Sequence, residues 1–252
     1  MTTTADLRAI ADSRSTLYKL LSRLYLEEVD AETLKALCAL QLENAPEAIA
    51  EPAARLRARC EAMTDETLEA DLEALAVDYA RIFLGAGAIA EGDAAIPYES
   101  VYTSPQRLLM QNAWESVRHA YLERGIAVKP RIGLYEDHLG IELGFMASLA
   151  ARDGSTESLQ ASATSGTLLE GLRFEEAFLR DHLLRWVPRL AADVRRITGT
   201  TGFYQDAADL TEAWLALDAE TLRDLKEELQ SDEAEEDEVH EEASDKTTAS
   251  DD

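Results

Sequence analysis

Helical periodicity, sustained with almost nothing to break it, is the feature that most limits what this chain can fold into. Leu17, Leu20, Leu21, Leu24 and Tyr25 recur at three- and four-residue spacing, with Arg14, Lys19 and Arg23 on the other faces. Apolar residues so spaced form one stripe of an α-helix. Only 12 Gly and 6 Pro interrupt 252 residues, against much Ala, Leu, Glu and Arg, which are strong helix formers. No run of β-branched and aromatic residues alternates between turn residues, so strands are not expected. At 46% apolar the chain can bury a core.

The same pattern sets the expected elements. A first helix runs from Thr4 to Glu28, and a second, "DAETLKALCALQL", opens after Asp30 as N-cap. Pro46 and Pro52 each suit a first helical turn. Thr64 to Leu84 reads as a long helix with Leu68, Leu72, Leu75, Ala76, Tyr79, Ile82 and Phe83 on its apolar face. The stretch "GAGAIAEGDAAIPYESVYTSP" then shows no period, and long ordered loops are often functional. Helices resume over Ser104 to Gly125, with Trp114, Val117, Tyr121 and Leu122 inward, and over Asp137 to Ala151. Leu168 to Thr198 should be kinked or divided by Pro188 near Trp186, and Phe203 to Leu229 forms the end. No period of 20 to 50 residues recurs, so a helical repeat array is not expected. The expectation is all-α: one globular domain of about eight to ten helices over residues 1–230, with an acidic disordered tail over 231–252.

Charge excludes several functions. Fifty acidic against 24 basic residues leave a net charge of −26, of which Ser231 to Asp252 carries −10 and the body −16. Nucleic-acid binding needs a basic face to neutralise phosphate, and an anionic membrane surface is disfavoured for the same reason. A basic partner or peptide is the natural complement, although acidic surface also serves solubility. Cys38 and Cys60 fit no zinc or redox spacing and make no disulfide framework, so free thiols in a reducing cytoplasm are expected. "MTTTADLRAI" lacks the pattern of a signal peptide, and no apolar run approaches about 18 residues.

Most candidate sites have plain readings. "GAG" at Gly85 lacks the third glycine of a dinucleotide fingerprint and the Lys-Ser/Thr of a phosphate loop, and suits a helix C-cap. Arg195-Arg196 complements a helix C-terminus, and His119 and His182 lie in helices without companion ligands. Glu136-Asp137-His138, before an apolar helical run, is more open. His138 and Glu142 share a helix face at a spacing that can chelate a metal, so a helical metal-dependent enzyme using Glu136, Asp137, His138 and Glu142 is one reading. A helix N-cap explains Asp137 equally well. No nucleophile has local activating context.

Three segments together resemble the TorD/DmsD/NarJ-type family of redox-enzyme maturation chaperones: "DYARIFLG" with Tyr79, Phe83 and Gly85, "PYESVY" from Pro97 to Tyr102, and "DHLGIELGFMASLA" led by Asp137-His138. Weaker likeness extends the match to roughly Arg8 to Leu217. Family members commonly carry Pro before the Asp-His pair, where this chain has Glu136. The resemblance implies an all-helical cytoplasmic chaperone without enzymatic activity or cofactor, monomeric or a domain-swapped dimer. It implies binding to the twin-arginine signal peptide and apo form of a molybdenum-cofactor-dependent oxidoreductase. Tyr79, Phe83, Pro97, Tyr98, Glu99, Tyr102, Glu136, Asp137 and His138 are the residues expected to line or shape the client surface. Core packing explains Tyr79 and Phe83 equally well. An adaptor acting through its acidic tail is a third reading.

Overall fold

In the computed structural model, the described residues are 3–40, 45–90, 93–126, 133–155, 167–197 and 199–248, with side chains to residue 231. The helices are α1 (Thr4–Leu26), α2 (Ala31–Cys38), α3 (Glu47–Ala62), α4 (Leu68–Phe83), α5 (Glu99–Thr103), α6 (Asn112–Glu123) and α7 (Leu139–Asp153). They continue as α8 (Thr167–Phe178), a π-helical turn (Leu179–Leu183), α9 (Leu184–Arg196) and α10 (Phe203–Thr248). The all-α expectation holds: among the described residues the sole β-type pairing is one antiparallel bridge, Tyr98 to His138. The acidic stretch expected to be disordered lies almost wholly beyond the described side chains.

Local signals place several helices. Asp30 caps α2 by accepting from the Thr33 N–H at 2.8 Å, and Thr3 and Asp6 form a capping box on α1. Other boundaries differ from expectation. Residues 104–111 turn rather than extend α6, with Arg107 and Met110 in the left-handed region at φ 53° and 56°. Two side chains hold that turn: Ser104 Oγ accepts from the Leu108 N–H and Ser100 Oγ from the Gln111 N–H. "ESVYT", expected to be irregular, forms α5. Leu122, expected inward, is 75% exposed. Pro52 lies past the first turn of α3, inside the helix. Pro188 acts as expected but upstream of itself: its missing N–H and its ring disturb the ladder near Leu184, where the π turn ends.

α1 is the central element. It packs along α7 through a seam of small residues, with Ser15 Oγ donating to the Ala147 carbonyl at 2.9 Å and Ser22 Oγ to the Gly140 carbonyl at 2.5 Å. A Cβ on Gly140 would lie 2.9 Å from the Ser22 carbonyl oxygen, so the helix backbones meet where a side chain is missing. Beside that seam Tyr25, Tyr79, Phe83 and Tyr204 meet edge-on or tilted, with ring centroids 5.2–5.8 Å apart. The Tyr79 hydroxyl donates to the Tyr25 carbonyl at 2.8 Å. Asp78, one residue earlier, accepts from the N–H and hydroxyl groups of Thr200 and Thr201, which ties α4 to the turn before α10.

A charged knot fastens α1 to α8 and α10. Buried Arg14 pairs with Glu175 and, at 2.5 Å, with Asp218, which also accepts from the Tyr18 hydroxyl at 2.7 Å. Asp153 adjoins Glu175, so carboxylates outnumber the one guanidinium. Burial, opposed by Arg14 and reinforced by Asp153 and Asp218, pushes Glu175 up to about 8. Folded Glu175 therefore keeps a proton that the unfolded chain, at its ordinary 4.5, releases. Its contribution to stability falls as pH rises through that window. Urea unfolding from pH 5 to 8 should show declining stability in the native chain and a smaller decline in Glu175→Gln; equal declines would contradict this assignment.

Candidate functional site

The two motifs that stand out in the sequence are clipped together. Pro97–Glu99 and Asp137–Leu139 run antiparallel, with the Glu99 N–H donating to the Asp137 carbonyl and the Leu139 N–H to the Pro97 carbonyl, both at 2.9 Å. This sets the N-termini of α5 and α7 side by side. Asp137 does not cap its own helix as expected. Its Oδ2 accepts from the Ser100 N–H at 3.0 Å, in the first turn of α5, while His138 caps α7 by accepting from the Gly140 N–H at Nδ1, 3.1 Å. The Tyr98 ring stands edge-on to His138, centroids 4.9 Å apart.

Behind the clip the polar side chains face inward. Glu99 pairs with His182 Nδ1 at 2.8 Å, and Glu142 accepts from Trp186 Nε1 at 3.3 Å. Asp137 Oδ1 and Glu142 Oε1 are buried without a hydrogen bond. Burial raises Glu142 well above the usual carboxylate range, and repulsion from Glu99 and Asp137 adds to it. Burial also raises Asp137, against the lowering effect of its bonds from Ser100. Among the described residues no group of three His, Cys, Asp or Glu is arranged to hold a metal. The ligand set Glu136, Asp137, His138 and Glu142 is spent on capping and on Trp contacts instead.

The remaining sequence-chosen residues are structural in position. Glu136, the only one of the nine that is not buried, accepts from Trp114 Nε1 at 2.6 Å and pairs with Arg118 at 3.3 Å. Its carbonyl accepts from the Tyr121 hydroxyl at 3.0 Å. The carboxylate that stands where the family pattern has proline thus anchors α6. Tyr102 stacks on Trp186 at 5.6 Å and donates to Asp193 at 3.1 Å. Tyr79 and Phe83 belong to the core. His182, read from the sequence as a helical histidine without companion ligands, pairs with Glu99; its place four residues after Phe178 and before Trp186, on the apolar face, is the signal that it is buried.

The open concave surface lies elsewhere. A groove of about 1220 Å³ runs between α1, α2, α3 and α10, floored by Leu17, Leu20, Ile49, Leu210, Trp214 and Leu217, with Asp30 and Glu32 on its rim. None of the nine sequence-chosen residues lines it.

Residues 42–192 match the family described as nitrate reductase delta subunit, well over half of the chain and including both clipped motifs. The chain belongs to that family. Its relatives include proteins named chaperone protein TorD. One from Vibrio cholerae is 28% identical over 225 residues, 87% of this chain and 96% of that protein. Others are from Shewanella piezotolerans (27%, covering 84% and 94%) and Vibrio atlanticus (26%, covering 86% and 98%). For this TorD-type chain, the clip gives a direct stability test. Asp137→Ala removes the cap of α5 and should cost about 1–2 kcal/mol in urea unfolding. Glu142→Gln is a near-isostere that removes a carboxyl whose charged form burial disfavours, and should cost less than about 1 kcal/mol at pH 7. The reverse ranking would contradict this division of roles.

Proposed function

We propose that this chain is a cytoplasmic, non-enzymatic chaperone for a molybdenum-cofactor-dependent oxidoreductase of the dimethyl-sulfoxide-reductase type. It binds the client's twin-arginine leader and apo form, holds back export, and keeps the apoenzyme open to cofactor insertion. The observation that carries this reading is family membership across both clipped motifs. Two features support it. The body is strongly acidic, which steers a basic leader toward it over a distance. The groove offers an apolar floor beside carboxylates, which suits a segment with two guanidinium groups followed by apolar residues. Arginine can engage a carboxylate through two parallel bonds where lysine offers a point charge, and a helical apolar segment can lie in a groove between helices.

On this reading the clip and the groove divide the work. Tyr98, Glu99, Tyr102, Asp137 and His138 shape the scaffold, with Pro97, Tyr79 and Phe83 packed behind them. Glu136 is the one of the nine that a client can reach directly. The acidic stretch, 231–252, adds little to leader affinity. Calorimetry with the twin-arginine leader peptide of a dimethyl-sulfoxide-reductase-type oxidoreductase tests the reading. Replacing both leader arginines by lysine should weaken binding by about tenfold or more. Leu20→Glu in the groove floor should remove most binding, and deletion of residues 231–252 should leave it within about threefold. Equal binding by the lysine leader, or loss of binding with the tail, would overturn it.

A further inference from the structure

The chain has two cysteines, and the fold brings them together. Cys38 is the last residue of α2 and is half-buried; Cys60 lies on the inner face of α3, 4% exposed. Their side chains are within hydrogen-bonding reach of one another, and α2 packs directly on α3. Twenty-two residues apart in sequence, they share no redox motif, so the pairing comes from tertiary packing alone.

We propose that Cys38 and Cys60 are an oxidation site, closing reversibly into an intramolecular disulfide that staples α2 to α3. The staple acts on the groove. Residues from both helices and their connection, among them Ala36, Ala39, Leu40, Pro46 and Ile49, form one wall of it. A covalent link at the end of α2 fixes that wall by tying the two helices together and constraining the unfolded chain.

The chemistry follows from the unequal surroundings of the two sulfurs. Burial, then the neighbouring Cys38, pushes the Cys60 thiol up to about 12, so Cys60 stays a thiol and the more exposed Cys38 meets the oxidant first. With a peroxide as oxidant, Cys38 takes one oxygen atom to become a sulfenic acid, and the peroxide leaves as water. Cys60 sulfur then attacks the Cys38 sulfur, and the S–OH bond breaks as the S–S bond forms. The Cys60 proton leaves with the hydroxyl as a second water. Two thiols are oxidised by two electrons and one peroxide is reduced by two. A small-molecule thiol reverses the bond by exchange.

The test uses the full chain and hydrogen peroxide. Intact mass after treatment should fall by two hydrogens in a monomer, with both cysteines refusing alkylation under denaturing conditions until a reductant is added. Cys38→Ser and Cys60→Ser should each abolish that mass loss. The native chain carries this readout by itself, so a variant that folds poorly does not decide it. Amide exchange in α2 and the first turns of α3 should slow by about tenfold or more on oxidation. Freely alkylated thiols, over-oxidation of Cys38 without a bond, or disulfide-linked dimers would overturn the site. A bond that leaves exchange unchanged would overturn the stapling of the wall. None of these readouts needs the leader, so they stand apart from the client reading.

Discussion

The missing side chain at Gly140 is the constraint on which the arrangement turns. Its N–H closes the His138 cap of α7, its carbonyl receives the Ser22 hydroxyl, and its bare Cα lets α1 reach that carbonyl at all. One residue thereby joins the α1–α7 seam to the clip between the two motifs. Fixing the start of α7 also fixes Asp137, whose carboxylate caps α5 rather than its own helix. From α5 the order passes to α9 through Tyr102 and Trp186. A methyl group at Gly140 would push on the Leu26 side chain and on the Ser22 carbonyl, which close-packed interiors resist at about 1–3 kcal/mol.

Polar groups inside this scaffold serve position rather than reaction. Three carboxylates sit behind the clip, and burial together with repulsion from the other two shifts one of them, Glu142, toward its protonated form. A second buried cluster around Arg14 answers the same problem with a guanidinium and a raised Glu175. An acidic protein that buries so many acids depends on such pairing, because an unpaired buried charge costs far more than any single apolar contact returns.

Much of the helical framework was legible in sequence because its causes are local. Leu17 through Tyr25 declare their stripe, Asp30 its cap, and Pro188 its disturbance of the ladder. What was not legible depends on partners distant in the chain. After Ser104-Pro105, which also suits a first helical turn, residues 106–111 are ordinary helix formers, yet they turn where Ser100 and Ser104 hold the backbone N–H groups. Asp137 reads as a cap from its neighbours, but which helix it caps is decided by strand-like pairing with a segment 38 residues away. The candidate site shows the same division. The motifs were visible, while their burial, the His182–Glu99 pair and the groove on the far flank of α1 required the tertiary structure. Glu136, out of pattern against the family, is explained by Trp114 and Arg118 on α6.

The central claim is that a family-signature clip builds the scaffold while a different surface, between α1, α2, α3 and α10, takes the client's leader. Amide exchange on the full chain with and without a saturating twin-arginine leader tests this most directly. The account predicts that protection increases along α1, α2 and the facing side of α10, with the Pro97–Tyr102 and Glu136–His138 segments unchanged. Protection confined to those two segments, with the groove helices unaffected, would contradict it.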